Sequence, residues 1–134
     1  SANVDQDVIR LADKSKKIDV LKNLLIKAEF NKVLIFGRTK RGVEKLSTIL
    51  AEKGIKVASI HGNKSQASRQ KALRLFKQSI IQVLVATDVA ARGLDIFGVS
   101  HVINFDMPAT YEDYIHRIGR TGRADKIGKA LTFI

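Results

Sequence analysis

The sequence has 134 residues, 45% of them hydrophobic, with no long polar stretch, which suits one domain around one core and excludes a disordered chain. It holds no cysteine, which excludes disulfides and thiolate metal sites and fits a reducing cytoplasm. Lys and Arg number 24 against 13 Asp and Glu, a formal charge of +11 with a pI near 10.1, so the natural partner is a polyanion, nucleic acid or nucleotide.

In chain order, a strand is expected within Asp5 to Leu11. A helix follows from Lys14 to Ala28, with Ile18, Leu21, Leu25 and Ala28 at helical spacing. Val33-Leu34-Ile35-Phe36 is a continuous apolar run, as a strand buried on both faces is. Lys40 to Lys53 repeats the helical stripe with Val43, Leu46 and Leu50, and Gly54 stands where a helix C-cap belongs. A strand at Val57 to Ile60, a helix from Ser65 to Gln78 and a strand at Gln82 to Ala86 come next. The series closes with a strand at His101 to Phe105, a short helix from Thr110 to Ile118 and a strand at Lys129 to Ile134.

Alternation of this kind means βαβ units: an α/β fold with a mostly parallel central sheet and helices on both faces. Strand order is not readable from the pattern. No apolar run approaches the roughly eighteen residues of a membrane span, so no membrane association is expected. His61, His101 and His116 are scattered without metal-ligand spacing, so no metal site is expected. No sustained heptad is present, and a monomer is expected.

Polar and glycine-rich segments leave the carboxyl ends of four strands: Gly37-Arg38-Thr39, His61-Gly62-Asn63, Thr87-Asp88 and Asp106. In open α/β sheets that edge is where ligands bind. Lysines crowd between Lys14 and Lys32, as on a solvated face. Arginines gather instead beside glycines, and arginine is the planar, bidentate reader of phosphate.

Two segments carry the chemistry. In Ala86-Thr87-Asp88-Val89-Ala90-Ala91-Arg92-Gly93-Leu94-Asp95, a hydroxyl with nearby amides can hold a phosphate oxygen, and Gly93 admits close backbone approach. Asp95 can accept from ribose hydroxyls. The bland alternative is a strand-to-helix cap at Thr87-Asp88, with Arg92 paired to Asp95. In Tyr114-Ile115-His116-Arg117-Ile118-Gly119-Arg120-Thr121-Gly122-Arg123, arginine recurs every third residue. Guanidinium groups so close repel unless an anion or a partner's carboxylates sit among them. A transferring γ-phosphoryl is one such anion. A solvated basic helix, the dull alternative, would not need the glycines and would favour lysine. Gln66 and Arg69 share a face near a helix start, where free amides favour phosphate, and Thr39 opens another helix as an ordinary N-cap does.

The run from His116 to Arg123 resembles motif VI of the DEAD-box helicases, and Thr87-Asp88 through Arg92-Gly93-Leu94-Asp95 resembles their motif V. Val33 to Lys40 is similar to motif IV, and Gln66-Ala67-Ser68-Arg69 to the QxxR element that follows it. Order and spacing agree over nearly the whole chain, and the run from His61 to Gln66 looks closest to the bacterial RhlE-type branch. The resemblance implies a RecA-like three-layer sandwich over residues 1–134, the second half of an ATP-dependent RNA helicase that works in the cytoplasm. It implies Arg120 and Arg123 at the γ-phosphate of ATP, with Arg123 as the finger, and Gly93 and Asp95 also at ATP. Thr39, Gly62, Gln66, Arg69, Thr87 and Arg92 would hold RNA, and Asp106, His116 and Arg117 would couple the two halves.

The chain contains no GxxxxGK[ST] phosphate loop, no Asp-Glu-Ala-Asp and no Ser-Ala-Thr after it. ATP and Mg2+ would therefore be bound mainly by an N-terminal RecA-like half, and this chain alone is expected to be inactive. An opening at Ser1-Ala2 without methionine, and a stop at Phe133-Ile134 in mid-strand, point to an expressed fragment. Two other readings stay open: a superfamily 2 motor acting on DNA, whose relatives usually begin motif VI with Gln where His116 stands, and a free-standing RNA-binding module.

Overall fold

Four short runs, Val33–Phe36, Val57–Ile60, Val83–Ala86 and His101–Asn104, carry too many branched and apolar side chains to face water, and each is largely or wholly buried. In the computed structural model, which describes residues 4–122 and 128–134, they are β2, β3, β4 and β5 of one sheet, joined by β1 (Val4–Ile9) and β6 (Gly128–Phe133). Strand order is β1-β6-β5-β2-β4-β3, and every pairing is parallel. The expected α/β sandwich is present, with the sheet parallel throughout.

Alternation along the strands divides the core in two. Val33, Ile35, Val83 and Val85 pack with Leu21 and Leu25 of α1 (Lys17–Leu25) and with Val43, Leu46 and Leu50 of α2 (Lys40–Glu52). Leu34, Phe36, Leu84 and Ala86 turn the other way. They meet Leu73 and Phe76 of α3 (Gln66–Lys77), Ala90 and Ala91 of α4 (Asp88–Ala91), and Ile118 of α5 (Tyr111–Ile118). Gly54 takes φ +87° just past α2, the left-handed turn expected of a helix C-cap.

Most element ends shift by a residue or two, and three differences from expectation are larger. The helix expected from Lys14 opens as a 3₁₀ turn at Lys14–Lys16, because the Asp13 carboxylate accepts from the Ser15 amide and hydroxyl and tightens the first turn. Its end comes at Leu25 rather than Ala28. There the Gln82 side-chain amide donates to the carbonyls of Leu25 (2.7 Å) and Phe30 (2.6 Å), closing the helix end from a distant strand. The segment after β4 forms α4, a single helical turn capped by Thr87. Among the described residues, no helix is long and apolar enough to cross a membrane.

At the sheet edge opposite the loops of interest, His101 is 4% exposed and stacks on Phe30 with ring centroids 3.7 Å apart. Burial first, then the Lys129 charge, pushes its pKa down from 6.5 to about 4, with Glu29 opposing. The unfolded chain takes up this proton near 6.5 and the folded chain only near 4, so the unfolded state binds more protons between those values. Stability therefore falls as pH drops through that window and levels off below it, by roughly 3 kcal/mol at most. Urea unfolding of wild type and His101→Phe at several pH values checks this. The wild type should lose stability more steeply on acidification, and parallel curves would assign the loss to other groups.

Candidate functional site

The strand order sets β5, β2 and β4 side by side, so the segments leaving their carboxyl ends are neighbours. Hydrogen bonds join them: the Gly37 amide donates to the Ala86 carbonyl at 3.0 Å, and the Arg38 amide to the Asp106 side-chain Oδ2 at 2.9 Å. A Cβ on Gly37 would stand 2.9 Å from Val43 Cγ2, so the close approach of β2 to α2 requires glycine there.

Arg117 is the hub of this edge. It is 1% exposed, delivered from α5 into the interior. Its Nε and Nη2 donate to the two oxygens of Asp88 at 2.6 and 2.7 Å, a fork-on-fork pair. Nη1 donates to Asn104 Oδ1 at 3.1 Å and to the Asp106 carbonyl at 2.8 Å, and the Phe36 ring lies 5.0 Å away. Asn104, fully buried, passes the network on to Thr132 at 2.9 Å. One guanidinium thus ties the segments after β4 and β5 to α5.

Beside the hub opens a cleft of about 530 Å³ lined by Arg92, Gly93, Asp95, His116 and Arg120 among others. Gly93 takes φ +81°, a turn that side chains resist, and it exposes backbone to the cleft. His116 is exposed on the same side. Arg120 folds back onto its own loop, donating to the carbonyls of Leu94 at 2.8 Å and Ala91 at 3.1 Å, with the Phe97 ring at 5.2 Å. Burial draws its pKa below the ordinary range, and the Asp95 charge acts the other way. The bland pairing of Arg92 with Asp95 is not formed. Arg92 Nη2 meets Asp113 Oδ1 at 2.7 Å, and Lys77 Nζ meets Asp95 Oδ2 at 3.3 Å. Such exposed pairs are worth under about 1 kcal/mol, so an anionic ligand can displace them.

The remaining polar positions lie along the same rim. Thr39 caps α2 by accepting from Gly42 at 3.0 Å, and Thr87, 7% exposed, caps α4 by accepting from Ala90 at 3.3 Å. A capping hydroxyl that accepts from an amide keeps its own proton to donate to a phosphate oxygen. Gly62 is exposed in the loop after β3, Gln66 is the first residue of α3, and Arg69 Nε donates to the Lys64 carbonyl at 3.3 Å. Arg123 lies outside the described residues. Sequence reasoning put Asp88 on this edge without pairing it to Arg117, and it did not single out Asn104, Asp113 or Glu44. Asp88 sat in plain view within its motif, but nothing local marks a carboxylate as the partner of an arginine on a later helix.

Residues 16–125 match the model of the helicase conserved C-terminal domain. The chain belongs to that family. Within it the similarity is to DEAD-box proteins. A DEAD-box ATP-dependent RNA helicase, CshA of Bacillus licheniformis, is 53% identical over 133 residues, 99% of this chain and 27% of that protein. The structure of E. coli DEAD-box protein SrmB bound to the regulator of ribonuclease activity A superposes with a TM-score of 0.92 at 40% identity, covering 98% of this chain and 77% of that one. A DEAD-box protein from the hyperthermophile Methanococcus jannaschii superposes at 0.90 with 42% identity, over 99% and 36%. This chain is thus the C-terminal RecA-like domain of a DEAD-box protein, and it spans about a quarter of the length of the CshA relative. That relative carries the name CshA rather than RhlE. In this helicase C-terminal domain, motifs IV, V and VI, far apart in the sequence, meet at one sheet edge through Arg38, Asp88, Asp106 and Arg117.

Proposed function

We propose that this domain is half of an ATP-dependent RNA helicase, supplying RNA-backbone contacts and the arginines that complete an ATPase site formed with an N-terminal RecA-like half. The observation that carries this is the shared rim. Thr39, Gly62, Gln66, Arg69, Thr87 and Arg92 follow neighbouring parallel strands, and the Gly93, Asp95 and Arg120 cleft opens beside them.

The donor set of the cleft fits the outer edge of ATP: a cation in Arg120, exposed backbone at Gly93, and a carboxylate at Asp95 to accept from ribose hydroxyls. When bound, ATP supplies the phosphoryl group that passes to water, and Mg2+ comes with it on the N-terminal half. Arg120 exchanges its carbonyl partners for phosphate oxygens, and Arg123 acts as the finger on the charge that develops there. Exposed His116 meets the other half across the cleft. Arg117 and Asp106 couple the halves from behind, because they hold the segments after β4 and β5 in place.

Hydroxyl, amide and guanidinium donors to phosphates and sugars read no base edge, so RNA is bound with little sequence preference and less tightly as salt rises. Closure of the two halves on ATP and RNA strains a short duplex, and product release reopens the cleft. The protein acts as a monomer in the cytoplasm. The test is ATP turnover by the full-length protein with RNA or DNA of the same sequence. Stimulation by RNA alone is expected, and equal stimulation by DNA would overturn the RNA assignment in favour of a DNA-directed motor.

A further inference from the structure

The loop after β3 carries Gly62 and leads into α3 with Gln66 and Arg69, and it is held from one side by α2. Three donors converge on a single oxygen of Glu44. The Ser59 hydroxyl stands at 2.9 Å, His61 Nε2 at 3.0 Å and Lys64 Nζ at 3.3 Å. His61 is 6% exposed, and its Nδ1 accepts from the Asn63 amide at 3.2 Å, which leaves the ring proton on Nε2 to be donated to Glu44. These bonds, His61's first and Ser59's next, hold the Glu44 carboxyl below its ordinary pKa. One helical turn earlier, Lys40 Nζ donates to Asn63 Oδ1 at 3.2 Å. Lys40 and Glu44 are four apart and share a face of α2, so the helix grips the loop at two points.

That same helix is capped by Thr39, whose hydroxyl accepts from the Gly42 amide and keeps its own proton to donate. The two ties therefore fix the distance between two stretches of the rim, Thr39 on α2 and Gly62, Gln66 and Arg69 across the loop. We infer that Glu44 is a positioning residue for nucleic-acid binding, holding the loop after β3 at a set spacing from the N-terminus of α2. It touches no ligand. It rests on the proposed RNA role of the rim.

The experiment is RNA-stimulated ATP hydrolysis by the full-length protein, reading the RNA concentration for half-maximal rate apart from the rate at saturating RNA. Glu44→Ala should raise the half-maximal RNA concentration by about ten-fold, since a shared hydrogen-bond hub is lost, and leave the saturated rate and KM for ATP within about two-fold. Glu44→Gln, which keeps an accepting oxygen for Ser59 and His61, should recover most of the loss. Asn63→Ala cuts the second tie at an exposed position without touching the core, and should raise the same quantity by about three-fold. Arg69→Ala serves as the reference for direct contact. If Arg69→Ala weakens RNA binding but Glu44→Ala and Asn63→Ala do not, the positioning role is overturned. If Glu44→Ala lowers the saturated rate and melting temperature with no change in RNA dependence, the ties are merely structural. If Arg69→Ala also leaves RNA dependence unchanged, the RNA role of the rim itself fails.

Discussion

Arg117→Ala should unfold the domain well before any other single change at the rim does. The guanidinium is buried and its charge is met by both oxygens of Asp88, with Asn104 and the Asp106 carbonyl accepting from Nη1. Removing Arg117 leaves the Asp88 carboxylate, 21% exposed, without its cation and opens a cavity, which costs toward the lower end of the about 3–5 kcal/mol of a broken buried pair. For a domain of this size that lowers the melting temperature by about 10 °C or more. Arg117→Lys should recover little, because an ammonium cannot span both Asp88 oxygens and still reach Asn104. Asp88→Asn, which keeps one acceptor, should cost less than Arg117→Ala. Thermal and urea unfolding of the domain checks the series. A melting temperature within two or three degrees of wild type for Arg117→Ala, by the same scaling, would mean that the hub carries no net stability.

Arg123→Ala in the full-length protein should remove most RNA-stimulated ATP hydrolysis, on the order of 10³-fold in kcat. The chain just before it is fixed. Thr121 Oγ1 donates to the Val99 carbonyl at 2.6 Å, and the Val99 amide to the Arg120 carbonyl at 3.3 Å. Gly122 then turns with φ +71°. A finger role would put the Arg123 charge on the developing phosphate charge, which is a transition-state effect. The loss should therefore fall on kcat, with the RNA dependence nearly unchanged. Arg120→Ala should lower kcat too, and because Arg120 also braces the Ala91 and Leu94 carbonyls, it should lower the melting temperature as well. Wild-type turnover by Arg123→Ala would take the finger role away from it.

Much of this architecture can be read in the sequence because its signals are local. Val33–Phe36 and Val83–Ala86 are buried runs that only a two-sided sheet accommodates, and Thr39, Ser65, Thr87 and Thr110 cap the helices they precede. What stayed hidden depends on contacts between distant residues. The end of α1 is set by Gln82, 57 positions from Leu25. Arg117 finds Asp88 29 positions back, and Asp113 takes Arg92 from the nearer Asp95 because α5 lies against the turn after α4. Strand order belongs to the same class. The motifs indicate that four loops share an edge, but only the order β5-β2-β4-β3 makes them consecutive neighbours.

The most direct test of a site divided between two halves is to measure ATP turnover by this domain alone and by the full-length protein, each with saturating RNA. The domain alone should show none, because its sequence carries no phosphate loop, and the full-length protein should hydrolyse ATP only when RNA is present. RNA-dependent turnover by the isolated domain at the full-length rate would contradict the account.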